Sequence, residues 1–516
     1  MASFIDVLLR GTGLAAQAIV VGGVLFVLFV LRPGRADAVA VPLGRHIALI
    51  AAGAVGVALV QAAIVGVQLV TVAGEGPWPL AEMMATTYVR AALLRGVACV
   101  GLVAVAIRSG ARGTMPLVAP LIFALLLTGS SAWLSHAAAR VGDRIVPLAM
   151  DAAHQLAAAT WIGGLAHLTV AAMGRGDHAW PPVLVRRFSR LVLTSVVILI
   201  VAGATLGTLY VGSVAALVGT SYGLLLLTKG MILLGLLVLG ALSVWAVRRS
   251  APDGSLVVVR RLVEVELGLG LTVLFVAASL TSIPPAVEVR EERAAIADVA
   301  KRFTPRLPSL RSPDVSALPT DREAARTAED EAWSEFNHHV AGMVVLAMGG
   351  LALWHALTGS RVARHWPLLM LGLAVFVLVR SDPDTWPLGA GGFWESLRDP
   401  EVLQHRAFVV LIAAFAMVEW MVRVGRLPAR GWAYVFPLIF AVGSGLLLTH
   451  SHARLDLQRE FLMELAHIPL GLLGLVVAWA RWLELRLPPS GDRLPGRLWP
   501  IAMMLAGLLL VFYRES

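Results

Sequence analysis

The sequence predicts an all-α, polytopic helical membrane protein, and three observations carry that expectation. Of the 516 residues, 58% are hydrophobic and only 15% charged, and mean hydropathy is +0.79, a profile foreign to soluble globular chains. Apolar runs of roughly 17 to 25 residues recur throughout, each long enough to cross a hydrocarbon core of about 30 Å as a helix. The runs are continuous rather than alternating, which excludes a barrel, the other structure that satisfies its backbone in lipid.

Taken in order, the runs predict about fourteen transmembrane helices. Eight fall near residues 12–31, 47–72, 89–107, 116–134, 147–173, 190–212, 222–247 and 262–283. Six more fall near 336–358, 366–380, 403–424, 432–450, 461–482 and 497–513. Between the two sets lies a stretch rich in Glu, Asp, Arg, Pro and Ala, the composition of a polar extramembrane segment. The expected organisation is therefore an eight-helix membrane domain over 1–286, an extracytoplasmic linker over 287–333 and a six-helix membrane domain over 334–516.

Charge orients the spans. Arg32, Arg35 and Arg45 follow the first span, Arg108 and Arg112 the third, Arg186 and Arg187 the fifth, Arg248 and Arg249 the seventh. The pattern continues with Arg361 and Arg364, Arg426 and Arg430, then Arg486 and Arg493, while the intervening loops hold fewer, among them Arg140, Arg144, Arg454 and Arg459. The richer set is cytoplasmic by the positive-inside rule, so both termini are expected in the periplasm of a bacterial inner-membrane protein. The net charge of +9 is thus topological, and no nucleic-acid partner is expected. Cys99 stands alone, so neither a disulfide nor a thiolate cluster is available. Met1 to Arg10 lacks the basic region of a cleavable signal peptide. Trp386 and Trp394, in the loop from Ser381 to Gln404, read as interfacial anchors.

The chemistry gathers at one junction. TGSSAWLSHAAARVGDRIVPLAMDAAHQLAAATWIGGLAH, Thr128 to His167, sets His136, Met150, Asp151 and His154 around the start of a span. On a helix, Asp151 and His154 are three apart and Met150 and His154 four apart, so they share a face. A second copy lies in LLLTHSHARLDLQREFLMELAHIPLG, with His450 and His452 ending one span and Met463, Glu464 and His467 starting the next. Met, an acid, two residues and His follow Ser-His-Ala in both places.

Of the 13 histidines, His136, His154, His338, His339, His405, His450, His452 and His467 fall on the outer side. The other five, His46, His167, His178, His355 and His365, fall among arginines and read as loop or interfacial residues. Imidazole suits copper, zinc, nickel and iron, while thioether sulfur suits Cu(I); a Met, His and carboxylate set without thiolate points to copper, as Cu+ or Cu2+. Within the spans, Lys229 lies where it can pair with Asp151 or modulate a cation path, and Glu419 is close enough to an inner end to reach the interface. There is no P-loop, aspartyl-phosphate motif or Cys-x-x-Cys, and the G-x-S-x-G match at Gly219 to Gly223 opens an apolar span, so no enzyme is expected.

MDAAHQLAAATWIGGL (Met150 to Leu165), the stretch from Arg186 to Gly230 with its Tyr222-Gly223 and Lys229, and ASLTSIPPA (Ala278 to Ala286) resemble the copper resistance protein D family of bacterial inner-membrane proteins. The resemblance covers about residues 1–286. It implies copper uptake or handling at the inner membrane, beside a periplasmic copper-binding partner of the copper resistance protein C type. It carries Asp151, His154 and Trp161 onto one family string and Tyr222, Gly223 and Lys229 onto another. Two alternatives stand beside copper transport: a redox protein whose histidines hold b-type haem, and a factor that delivers copper for assembly without transporting it.

Overall fold

The computed structural model describes residues 2–32, 42–74, 78, 80–139, 142, 144–173, 180, 182–249, 257–289, 293–304, 306–318, 327–449, 457–487 and 493–515. They form two compact units, Ala2–Glu291 and Glu292–Ser516. The chain is a multi-pass helical membrane protein: among the described residues, 12 helices are long and apolar enough to span a bilayer.

The first unit contains α1 (Ala2–Leu25), α2 (Leu43–Ala73), α3 (Thr87–Arg112), α4 (Val118–Ala132), α5 (Ile145–Ala172), α6 (Pro182–Val211), α7 (Ser221–Arg249) and α8 (Val257–Leu280). Six of these meet the length and hydropathy of a span. The other two differ for visible reasons. Helix α4 has 15 residues, about 22 Å at about 1.5 Å per residue. Helix α5 has 28 residues, but Asp151, His154, Gln155 and Thr160 dilute its apolar character. A long helix with ionisable groups in a membrane bundle is where a pathway or binding site is sought.

Helix α1 is the rod around which this unit packs, touching α2, α4, α5 and α8. Val20, Val21, Val24 and Phe26 are fully buried, and the three valines with Ile50, Val57, Leu102, Leu127 and Ile162 build the core. Past Leu25 the rod widens into a π-helix over Phe26–Leu31, a form that recurs at functional sites.

The second unit contains α9 (Ala328–Thr358), α10 (Leu369–Arg380), α11 (Pro400–Arg423), α12 (Val435–Thr449), α13 (Leu457–Arg486) and α14 (Leu494–Val511). Helix α9 starts earlier than its apolar run, because Thr327 and Asp330 form a capping box and Glu329, Asp330 and Glu331 fill the first turn. The polar segment before it holds a short helix, Ile296–Arg302. That segment is fastened to the unit by Arg302 Nη1 donating to the Arg514 carbonyl at 2.7 Å and by His339 Nδ1 against the Ser309 carbonyl at 3.1 Å.

Glu419 does not reach the interface. It is 1% exposed and pairs with Arg423 at 2.7 Å and Arg481 at 3.5 Å. Arg481 also binds Glu484 at 2.6 Å, and Trp499 Nε1 donates to the same carboxylate at 2.7 Å. The Arg423 guanidinium lies 5.0 Å from the Trp366 ring. Charge is tolerated here because each head group has an opposite charge or an aromatic face beside it.

Candidate functional site

The first histidine motif is assembled at the start of α5. Asp151 Oδ2 accepts from Gln155 Nε2 at 2.8 Å, one turn along the helix. The same carboxylate is hydrogen-bonded by Ser135 and lies within electrostatic range of His136 and Lys229. His136 opens the short helix His136–Ala139, which packs on α5. Its ring meets Tyr210 of α6 edge-on at 6.3 Å, and Tyr210 meets Tyr222 of α7 at 6.4 Å. Lys229 also faces His154.

The ring nitrogens can be assigned by their partners. His154 Nδ1 lies 3.3 Å from the Leu199 carbonyl; that nitrogen must carry the proton, leaving Nε2 as a lone pair. A backbone carbonyl holding one ring nitrogen is the support that metal-binding histidines commonly have. Gly203 of α6 makes room for this ring, since a Cβ there would sit 3.1 Å from His154 Cε1. His136 Nε2 is buried and, among the described residues, has no hydrogen-bond partner. His136 and Asp151 thus lie within electrostatic range of each other at the end of α5 that also bears His154, with Lys229 a cation in range of both Asp151 and His154. Met150 is half-buried one turn before His154. Trp161 is 4% exposed, two turns further along α5.

Among the described residues, no three His, Cys, Asp or Glu side chains are already gathered closely enough to hold a metal ion. Beside Asp151 lies a cavity of about 100 Å³, lined by Ser135 and Gln155 on one side and Gln61, Tyr88 and Arg95 on the other. Arg95 is 6% exposed, and its Nε and Nη1 have no hydrogen-bond partner among the described residues. The sequence reading passed over Arg95, although an arginine inside an apolar run is itself a signal. It also missed Gly203 and Tyr210, whose roles depend on which helix lies next to α5.

Of the second motif, Met463, Glu464 and His467 fall in the first turns of α13, so their spacing is helical as in the first copy. His450 and His452 lie outside the described residues. Three other expected outer histidines have local partners. His338 stacks on Tyr513 at 3.9 Å, His339 Nε2 lies 3.0 Å from the Tyr513 carbonyl, and His405 Nδ1 bonds Asp382 at 2.9 Å.

The expectation for two inner histidines is overturned. His46 and His167 are not loop or interfacial residues: both are 0% exposed, and their Nδ1 atoms lie 3.0 Å apart. Each sits in an otherwise apolar helix with a neighbouring arginine or loop, so sequence position alone resembled a membrane interface.

Comparison with known proteins bears on the same helices. The copper resistance protein D family matches residues 182–280, the stretch that forms α6, α7 and α8 and supplies Gly203, Tyr210, Tyr222 and Lys229. The chain is also similar to the copper transport protein CutJ of Bacillus subtilis (strain 168), at 34% identity over 179 residues, covering 34% of this chain. The chain spans only 32% of that relative's length. No solved structure matches the chain. Two helices beside Asp151 and His154, α6 and α7, thus lie in the stretch, residues 182–280, that matches the copper resistance protein D family.

Proposed function

We propose that this protein carries copper ions across the bacterial inner membrane, inward, in support of copper resistance or homeostasis. The observation that carries this reading is that His136 and Asp151 lie within electrostatic range of each other at the end of α5 that also bears His154, beside α6 and α7 of the segment that matches the copper resistance family. Copper enters there as substrate, with His154 Nε2, His136 Nε2 and the Asp151 carboxylate as its donors and Met150 available as a thioether. Binding draws the three groups together, the ion taking over from Lys229 as the cation in electrostatic range of Asp151. His450, His452, Met463, Glu464 and His467, all in the second unit's sequence, are a second candidate capture set.

In the orientation read from the arginines, the start of α5 faces the periplasm, both termini lie on that side, and a copper-binding protein of the copper resistance protein C type is the expected donor. A potential negative inside then favours entry by about 2.3 kcal/mol per charge per 100 mV. Trp161 and Lys229 line or brace the route along α5.

The test is copper(I) influx into proteoliposomes carrying the purified chain, with an absorption spectrum of the same sample. Influx above protein-free vesicles and no Soret band support transport. A stoichiometric Soret band supports the haem alternative, and copper binding without influx supports a delivery factor.

A further inference from the structure

At the far end of α5 from Asp151, His167 meets His46 of α2 in a pocket closed to solvent. The two rings stack at 5.3 Å with an interplanar angle of 24°. Phe26, the first residue of the π-helix, stacks on His46 at 5.5 Å and tilts against His167 at 6.0 Å, while Phe188 closes on Phe26 at 5.8 Å. The pocket is shaped around the pair: a Cβ on Gly23 would strike the His167 ring and come within 2.8 Å of Ile50.

The proton positions follow from the partners. His167 Nε2 lies 3.1 Å from the Ile19 carbonyl, so that nitrogen carries the proton and His167 Nδ1 is a lone pair. His46 Nδ1, 3.0 Å away, must then donate to it. His46 Nε2 is left as a bare lone pair, buried and without a hydrogen-bond partner among the described residues. An orphaned acceptor in an apolar site is costly, and a packing role for His46 does not account for it.

We propose that His46 and His167 form a second copper(I) site, with both Nδ1 atoms as ligands. The proton now shared between the rings moves to His46 Nε2, the ring nitrogen nothing else holds. Both imidazoles stay neutral and the ion takes the bridging position. His167 Nε2–H on the Ile19 carbonyl is the outer-shell support expected of a ligating imidazole. Metal–nitrogen bonds of about 2 Å require the nitrogens to part by about 1 Å. Two nitrogen donors in an apolar, aromatic-walled pocket suit a monovalent d10 ion; zinc would seek four ligands, and a divalent charge would be costlier to bury. His154 and His167 are thirteen residues apart on α5, about 20 Å at about 1.5 Å per residue, so one helix carries a site near each membrane face. The choice of copper rests on the function proposed above; the existence of a two-imidazole site does not.

The experiment is anaerobic copper(I) titration of the purified full-length protein against a chromogenic chelator, for wild type, H46Q/H167Q and D151N/H154Q. The inner-pair variant is expected to lose one chelator-resistant equivalent that D151N/H154Q retains; wild-type stoichiometry in H46Q/H167Q overturns the proposal. Loss only in D151N/H154Q leaves the outer site standing and removes this one. Should H46Q/H167Q fail to fold, wild-type protein labelled with 15N-histidine decides. The N–H···N coupling between the two rings identifies the pair, and saturating Ag(I) is expected to abolish it and shift both Nδ1 signals. Unchanged coupling contradicts the proposal.

Discussion

Gly22 of α1 and Gly163 of α5 meet backbone to backbone: a Cβ built on Gly22 would lie 2.7 Å from Gly163 Cα, and one built on Gly163 would strike the Ala18 carbonyl. This crossing lies between the two ends of α5 and sets the distance between that helix and the central rod. Small residues let membrane helices approach this closely. Gly164 serves a different neighbour, since a Cβ there would sit 2.7 Å from the Phe188 ring.

Gly163→Val should therefore push α5 from α1. Overpacking of this kind costs about 1–3 kcal/mol, and more where the obstacle is backbone. The thermal midpoint of the purified protein in detergent should fall, whereas Gly96→Ala, at a position with nothing within 4 Å of the added carbon, should leave it unchanged.

Glu419 is the only acid in contact with both Arg423 and Arg481 among the described residues. Glu419→Ala leaves two buried guanidinium groups undercompensated and should cost about 3–5 kcal/mol. By contrast Asp6→Ala, which breaks a partly exposed pair with Arg10, should cost less than about 1 kcal/mol. Thermal unfolding of the two variants checks the contrast.

In the loop after α10, burial pushes the Asp382 carboxyl up, but the His405 hydrogen bond and charge, Ser381 and Arg406 outweigh it and hold its pKa below the ordinary value. A depressed folded-state pKa contributes stability above the unfolded value of about 3.9 and loses it as pH falls through the folded value. His405→Ala should therefore move acid unfolding of this loop to higher pH. The fluorescence of Trp386 and Trp394, titrated from pH 6 downward, reads the midpoint.

Lys229 lies within electrostatic range of Asp151, the acid proposed as a copper donor. Lys229→Met should tighten copper(I) at the α5 site by about tenfold, equivalent to about 1.4 kcal/mol, and slow its release. Chelator competition measures the first effect and proteoliposome efflux the second.

The span pattern was legible because crossing lipid demands long apolar runs, and α5 stood out because Asp151 and His154 interrupt one. Asp151, His154 and Lys229 could be singled out in the sequence because helical spacing and the cost of intramembrane charge both mark them. His46 and His167 could not: they come from α2 and α5, and nothing in either local sequence says that these helices flank α1 at the same height. Glu419 was misjudged for the same reason, because its partner Arg481 lies on α13, far along the chain. Local spacing reveals the residues one helix presents; partners on another helix emerge only with the packing.

Cellular copper in bacteria expressing His154→Ala, compared with wild type at equal membrane expression, tests the central claim most directly. Copper transport through the α5 site predicts a severalfold lower accumulation in the variant. Accumulation equal to wild type would remove His154, and the site built around it, from the transport path.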